Sequence, residues 1–232
     1  MRLAIMQPYF LPYLGYFQLI AASDVFVLYD NIEYTKKGWI NRNRFLRGTE
    51  GVTFSLPLKG APDFLEVRQR ELAADFNPAK LLNQIKAAYQ KAPFFQVTFD
   101  LMERIVQFPE RNLFRYLHHS LDLLCQHLAI PAKRKISSEV PIDHSLRKQE
   151  KVIAFCRSLG ASAYINPIGG VELYSKSVFL AHGIELMFLR MKPWEYAQFG
   201  GAFVPSLSVL DVLMLNPIEA VRGRVRNGYE LV

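Results

Sequence analysis

A chain of 232 residues, 50% apolar and 21% charged, has ordinary globular usage, which excludes a disordered polar chain and leaves no need for disulfide or metal staples. Lysine and arginine number 28 against 21 aspartates and glutamates, a formal net charge of +7 with an isoelectric point near 9.4. That balance suits an anionic partner such as a nucleotide, a nucleotide-sugar or RNA, although a positive surface also serves solubility alone.

In chain order, residues 2–6 (RLAIM) predict a first strand, ended at Gln7-Pro8 where proline removes a ladder donor. This start holds two prolines and several aromatics without a small-residue cleavage site, so it does not read as a signal peptide. No window reaches the roughly 18 uninterrupted apolar residues of a membrane span, and a cytoplasmic protein with no membrane partner is expected. Residues 14–22 predict a helix and residues 24–29 (DVFVLY) a second buried strand, together a βαβ opening. Another strand is expected at 52–58 (VTFSLPL). Asn77, with Pro78 at the first helical position, opens a helix, and helices at 99–106 and 112–128 around Pro109 extend this into a helical block. Strands are expected again at 136–140, 163–165 and 184–189, with a helix at 146–159 that Gly160 stops.

Cys125 and Cys156 lie in apolar helical stretches and read as small buried hydrophobes. His118 and His119 have no further ligands at metal spacing, so no metal site is expected. No repeat or linker divides the chain, and the expectation is one α/β domain over residues 1–232: a mostly parallel sheet flanked by helices, with a helical block in the middle of the chain. Ligands of such sheets sit at the carboxyl ends of the strands, which directs attention to the loops after Met6, Tyr29, Ser138 and Ile165.

The first loop carries Gln7, Tyr9, Tyr13 and Tyr16 among two prolines and Gly15. Tyrosine offers a flat face and a hydroxyl, suited to a nucleobase, a sugar or a small acyl group, whereas Phe10 and Phe17 read as core. The second loop packs Asp30, Lys37, Trp39, Asn41, Arg42, Asn43 and Arg44 into one short stretch. If extended, it places both arginines on one face and the asparagines on the other, the geometry of a phosphate or carboxylate clamp, with an exposed charged edge strand as the plainer alternative. Asp30 is expected to hold one arginine and leave the other for a ligand. Around the third strand end, Ser138 and Glu139 precede His144, a residue type that could act as catalytic acid or base, although a lone loop histidine is more often idle. Gly169 and Gly170 could wrap an anion with backbone donors, and an ordinary turn explains them equally.

These elements resemble the WbqC-like proteins, found in gene clusters for surface polysaccharide and O-antigen synthesis. The resemblance spans essentially the whole chain and rests on Gln7-Pro8 with Pro12 and Gly15-Tyr16-Phe17, Ser23-Asp24-Val25-Phe26-Val27 with Asp30, Lys36 and Trp39 with Asn41-Arg42-Asn43-Arg44, Ser137-Ser138-Glu139, Leu159-Gly160-Ala161, Gly169-Gly170, Tyr196 with Gln198, and Leu207-Ser208 with Asp211. Members often carry histidine where this chain has Met6, Ser-Gly where it has Asn166-Pro167, and arginine where it has Val171. A second similarity, to the nucleotidyltransferase-like fold of pantothenate synthetases, sets Tyr13-Leu14-Gly15-Tyr16 where those proteins have His-x-Gly-His, so it implies the sheet and a phosphate pocket without the histidines.

The resemblance implies a transferase acting on a nucleotide-linked amino sugar by acyl or aminoacyl transfer. Arg42, Arg44 and Lys37 would bind phosphate, Tyr13, Tyr16 and Trp39 would stack, and Asp30 or Glu139 would act as base. Such chemistry calls on a nucleotide or acyl donor and names no other cofactor, and tRNA stays open as an aminoacyl carrier. A non-catalytic nucleotide- or RNA-binding protein and a scaffold of a polysaccharide-synthesis complex are the alternatives.

Overall fold

Strand β1 (Arg2–Met6) is paired on both sides and covered on both faces, which is why it is apolar after Arg2. The computed structural model describes residues 1–232. After β1 come α1 (Leu14–Ala22), β2 (Val25–Leu28) and an antiparallel hairpin of β3 (Arg42–Arg47) and β4 (Glu50–Ser55). Helices α2 (Pro78–Tyr89), α3 (Phe95–Val106) and α4 (Leu113–His127) form the expected helical block. Then follow β5 (Lys133–Ile136), α5 (Lys148–Leu159), β6 (Ala163–Pro167), α6 (Lys176–Ala181), β7 (Glu185–Met191), α7 (Val209–Leu215), α8 (Ile218–Asn227) and β8 (Tyr229–Leu231).

The main sheet runs β5-β2-β1-β6-β7-β8, parallel except for β8. As the βαβ opening requires, β1 pairs with β2 from Leu3↔Val25 to Met6↔Leu28. The chain steps outward from β1 to β2 and β5, then returns to β6 on the other side, so the carboxyl ends of five parallel strands share one edge.

Period-two alternation divides the strand side chains between two cores. Ala4, Phe26, Leu28 and Ile165 face the larger, completed by α1, the helical block, α7 and α8. Leu3, Ile5, Val25, Val27 and Tyr164 face the smaller, which α5 and α6 cover with Val152, Phe155, Cys156 and Phe179. Burial pushes the thiols of Cys125 and Cys156 up to about 12, so both stay protonated and unreactive. No helix is long and apolar enough to cross a membrane.

Two strands lie elsewhere than the sequence suggests. The strand expected at 136–140 is β5, which starts at Lys133 and gives way at Ser137 to a single 3-10 turn. It is an edge strand, and its alternating exposed lysines look like a loop to a hydrophobic pattern. The strand expected at 52–58 is β4, paired only with β3 outside the main sheet.

The loop between β1 and α1 is held from two directions. Leu11 is buried in the left-handed region at φ 44°, a conformation that a leucine keeps only under tertiary constraint. Asn43, buried on β3, donates Nδ2 to the carbonyls of Phe10 (3.2 Å) and Leu11 (2.8 Å), and Ser208 Oγ donates to the same Leu11 carbonyl at 2.7 Å. Pro12 carbonyl accepts from Val209 N–H at 2.9 Å and Arg44 carbonyl from Ser208 N–H at 2.9 Å. Asn43→Ala would leave the loop carbonyls without these donors and is expected to lower stability by about 2–3 kcal/mol in urea unfolding. A loss under about 1 kcal/mol would show that the loop holds itself.

Candidate functional site

Asp30 follows β2 directly and is buried, and its partners are hydroxyls and an amide where an arginine was expected. Oδ1 accepts from Ser137 Oγ (2.7 Å) and Ser138 N–H (2.9 Å), and Oδ2 accepts from Ser138 Oγ (2.7 Å). The turn Ser137–Glu139, at the end of the neighbouring β5, aims these donors inward, because β2 and β5 are in parallel register and their ends coincide. Ser137 Oγ also lies 2.5 Å from Asn31 Oδ1, so one hydroxyl proton serves two acceptors. Asn31 Nδ2 in turn meets His144 Nδ1 at 2.9 Å, and His144 Nε2 lies 3.1 Å from the Val140 carbonyl. The amide donor on Nδ1 and the carbonyl on Nε2 assign the ring proton to Nε2 and occupy both nitrogens.

Above this network opens a cavity of about 680 Å³ at the carboxyl edge, between the ends of β2 and β5, the 64–68 segment and the start of α5. Ser138 and His144 line it, with Tyr29, Asn31, Glu33, Glu66, Arg68, Arg147, Lys148 and Lys151. Four cations therefore face two carboxylates, one of which, Glu66, is already paired with Arg68 at 2.6 Å. Arg147 caps α5 without a side-chain bond, so the first N–H groups of that helix add to the positive potential. Lys148, the first residue of α5, sits in the left-handed region at φ 52°, backbone strain of the kind that collects at binding sites. Lys151 is buried, donates to the His144 carbonyl at 2.9 Å and lies 5.3 Å from the Tyr29 ring centroid. Burial lowers its pKa, and burial, with Tyr174 and Glu66, raises that of Tyr29 to about 12.

The structure divides the residues singled out from the sequence. Ser138 and His144 line this cavity with Asp30 buried behind Ser138, whereas Glu139 is exposed and does not line it. Arg42 donates to the carbonyls of Gly38 (2.9 Å) and Lys37 (2.5 Å) and stacks on Trp39, 5.6 Å from its ring centroid, so it staples its own loop. Arg44 donates to the Pro205 carbonyl at 3.1 Å. Asn41 accepts from Tyr34 and donates to Leu56, and Lys37 and Trp39 are exposed. Tyr16 is buried with its hydroxyl on the Gln7 carbonyl, and Tyr9 packs against its ring. Gly15 at the start of α1 is covered by the Met191 thioether and the Tyr13 ring, a close approach that leaves no room for a Cβ. Gly169 is exposed, and Gly170 is needed because a Cβ there would strike the Asn166 amide. Sequence reasoning missed Arg68 and Lys151, which carry no motif and converge only through the fold.

A second buried acid, Asp211, gathers other motif residues: Tyr89 Oη (2.6 Å), Tyr196 Oη (2.6 Å) and Gln198 Nε2 (3.2 Å) all donate to its carboxylate. Burial outweighs these bonds and holds the Asp211 carboxyl above the usual aspartate range. With the folded pKa raised, this residue's contribution to stability is full below about pH 4 and is lost as pH rises through the folded value. Asp211→Asn removes the ionisation, so the stability of the parent relative to the variant should fall as pH rises above about 4 in urea unfolding. A constant difference would show that the hydrogen bonds cancel the effect of burial, and a difference that grows with pH would show that they prevail over it.

The sequence matches the model of the WbqC-like protein family over residues 7–223. It is 27% identical over 224 residues to the uncharacterized protein Rv1507c of Mycobacterium tuberculosis, covering 94% of this chain and 95% of that protein. No solved structure matches at a significant level. Since the match takes in both buried acids and the residues that surround them, the chain belongs to the WbqC-like protein family.

Proposed function

We propose that the chain is a transferase that holds a nucleotide-linked amino sugar in the cavity between β2, β5 and α5 and serves acyl or aminoacyl transfer to its amine, in the assembly of surface polysaccharide such as O-antigen. The pathway is carried over from the family resemblance. The observation that carries the site is the convergence of Arg68, Arg147, Lys148, Lys151 and the uncapped end of α5 on one cavity. A diphosphate would lie against these donors, and Glu33 and Asn31 offer partners for sugar hydroxyls.

For transfer, the attacking amine must lose a proton as its nitrogen bonds to the acyl carbon. Ser138, at the cavity wall with its hydroxyl 2.7 Å from Asp30, can accept that proton while passing its own to Asp30. The departing group leaves with its bonding electron pair and takes a proton back. His144, with both nitrogens engaged, keeps the Asn31–Ser137 side of the network in place.

A thermal-shift and calorimetric panel of UDP- and dTDP-linked amino sugars, free nucleoside diphosphates, free sugars, ATP, acyl-CoA and tRNA tests this reading. At least one nucleotide-sugar should stabilise the fold, by about 2.7 kcal/mol at a hundredfold excess over its Kd. Arg68→Ala and Arg147→Ala should each weaken that binding by about 1–3 kcal/mol, the value of a charge-assisted hydrogen bond. Ser138→Ala should keep binding and lose transfer. Stabilisation by tRNA alone would favour the RNA-binding alternative, and unchanged affinity in both arginine variants would remove the site.

A further inference from the structure

A second cavity, of about 420 Å³, lies at the other end of the carboxyl edge, beyond β7, and shares no lining residue with the first. We infer that it is a binding site for a planar aromatic ring, of a nucleobase or an aryl group, stacked among Tyr13, Trp194, Tyr196 and Phe203. This inference stands independently of the proposed function.

Four rings, those of Tyr13, Trp194, Tyr196 and Phe203, stand in the walls among the aliphatic chains of Leu14, Leu207 and Val212. The Trp194 and Tyr196 centroids are 5.2 Å apart at 53°, and those of Tyr196 and Phe203 5.2 Å apart at 81°. The thioether of the partly exposed Met191 and the start of α1 at Tyr13 and Leu14 also line it, with Lys192 and Glu195 as its charged groups. Such an arrangement offers ring faces and edges, which planar aromatics match through offset and edge-to-face contacts, whereas a flexible tail gains nothing from ring orientation.

The rings are also held in place. The segment 192–208 between β7 and α7 has no regular structure, and a loop of that length inside a compact fold usually serves binding. It is nevertheless fixed at several points. Gln198 bridges it, donating to the Val204 carbonyl at 3.1 Å and accepting from Val204 N–H at 2.9 Å, around a bend where Gly200 and Gly201 have φ 112° and 81°. Arg44 holds the Pro205 carbonyl, and the Arg224 guanidinium lies 5.6 Å from the Trp194 ring centroid. Tyr196 is oriented by its 2.6 Å bond to Asp211, a carboxylate with 0% exposure. Burying a carboxylate without a cation is costly, and here it sits behind the cavity wall, where it fixes the edge of a lining ring. The Tyr13 hydroxyl has no partner within the protein and remains available to a ligand.

The chain has two tryptophans, so Trp39→Phe leaves Trp194 as the only one, inside the cavity. Titration of that protein with adenosine, uridine and 4-hydroxybenzoate, and with octanoate as the aliphatic comparison, reads the site by fluorescence. At least one ring compound should quench Trp194 saturably. Phe203→Ala should weaken it about tenfold, in the range for loss of one stacking partner. Tyr196→Phe, which keeps the ring and removes its tether to Asp211, should weaken binding less, and Arg68→Ala should leave it unchanged. The assignment is overturned if no ring compound quenches, if octanoate binds and the rings do not, or if both Phe203→Ala and Tyr13→Ala bind as the parent does. Circular dichroism of each variant separates these outcomes from unfolding.

Discussion

One backbone carbonyl, that of Leu11, receives side-chain hydrogen bonds from residues far apart in sequence, Asn43 and Ser208. Through it the loop after β1, the β3–β4 hairpin and the start of α7 become a single rigid unit. The cavity beyond β7 depends on that unit. It fixes where α1 begins and hence where Tyr13 stands, and it anchors the hairpin from which Arg44 reaches the loop at Pro205. The motif residues that look most like ligand contacts, Asn41 to Arg44 and the Gln7-to-Tyr16 loop, are largely consumed in building it.

A second rule runs through the interior: acids and bases satisfy themselves separately. Asp30 and Asp211 accept from hydroxyls and amides, and Arg42, Arg44 and Arg70 donate to backbone carbonyls. Pairing buried ions with each other is energetically close to neutral, so a fold loses little by choosing neutral partners, provided every charge has enough of them. Cations that face a cavity, such as Arg147 and Lys151, then keep their potential for a ligand.

This separation explains what the sequence could and could not convey. Strands β1, β2 and β6, helices α1 and α2, and the stop at Gly160 follow from local apolar patterns and turn chemistry, and these appear where the pattern puts them. The edge strand β5 was displaced because its lysines obey the needs of an edge, and α7, α8 and β8 went unseen because each is short and most of their stability is tertiary. For the site, Asp30, Ser138 and His144 were legible as polar residues just after strand ends. The alternation Asn41 to Arg44 was legible as an extended run, but partner identity is a long-range property: nothing near Arg42 in sequence distinguishes a carbonyl from a phosphate. Arg68 and Lys151 were illegible for the same reason.

Because the interior arginines rest on carbonyl dipoles, and the ion pairs are mostly at the surface, added electrolyte has little inside this fold to screen. Carbonyls do not titrate, and guanidinium groups stay protonated throughout the working range. Raising ionic strength should therefore leave the scaffold nearly untouched while weakening whatever anion occupies the cationic cavity. Potassium chloride then becomes a probe of a charged ligand in that cavity, against a scaffold that stays nearly silent.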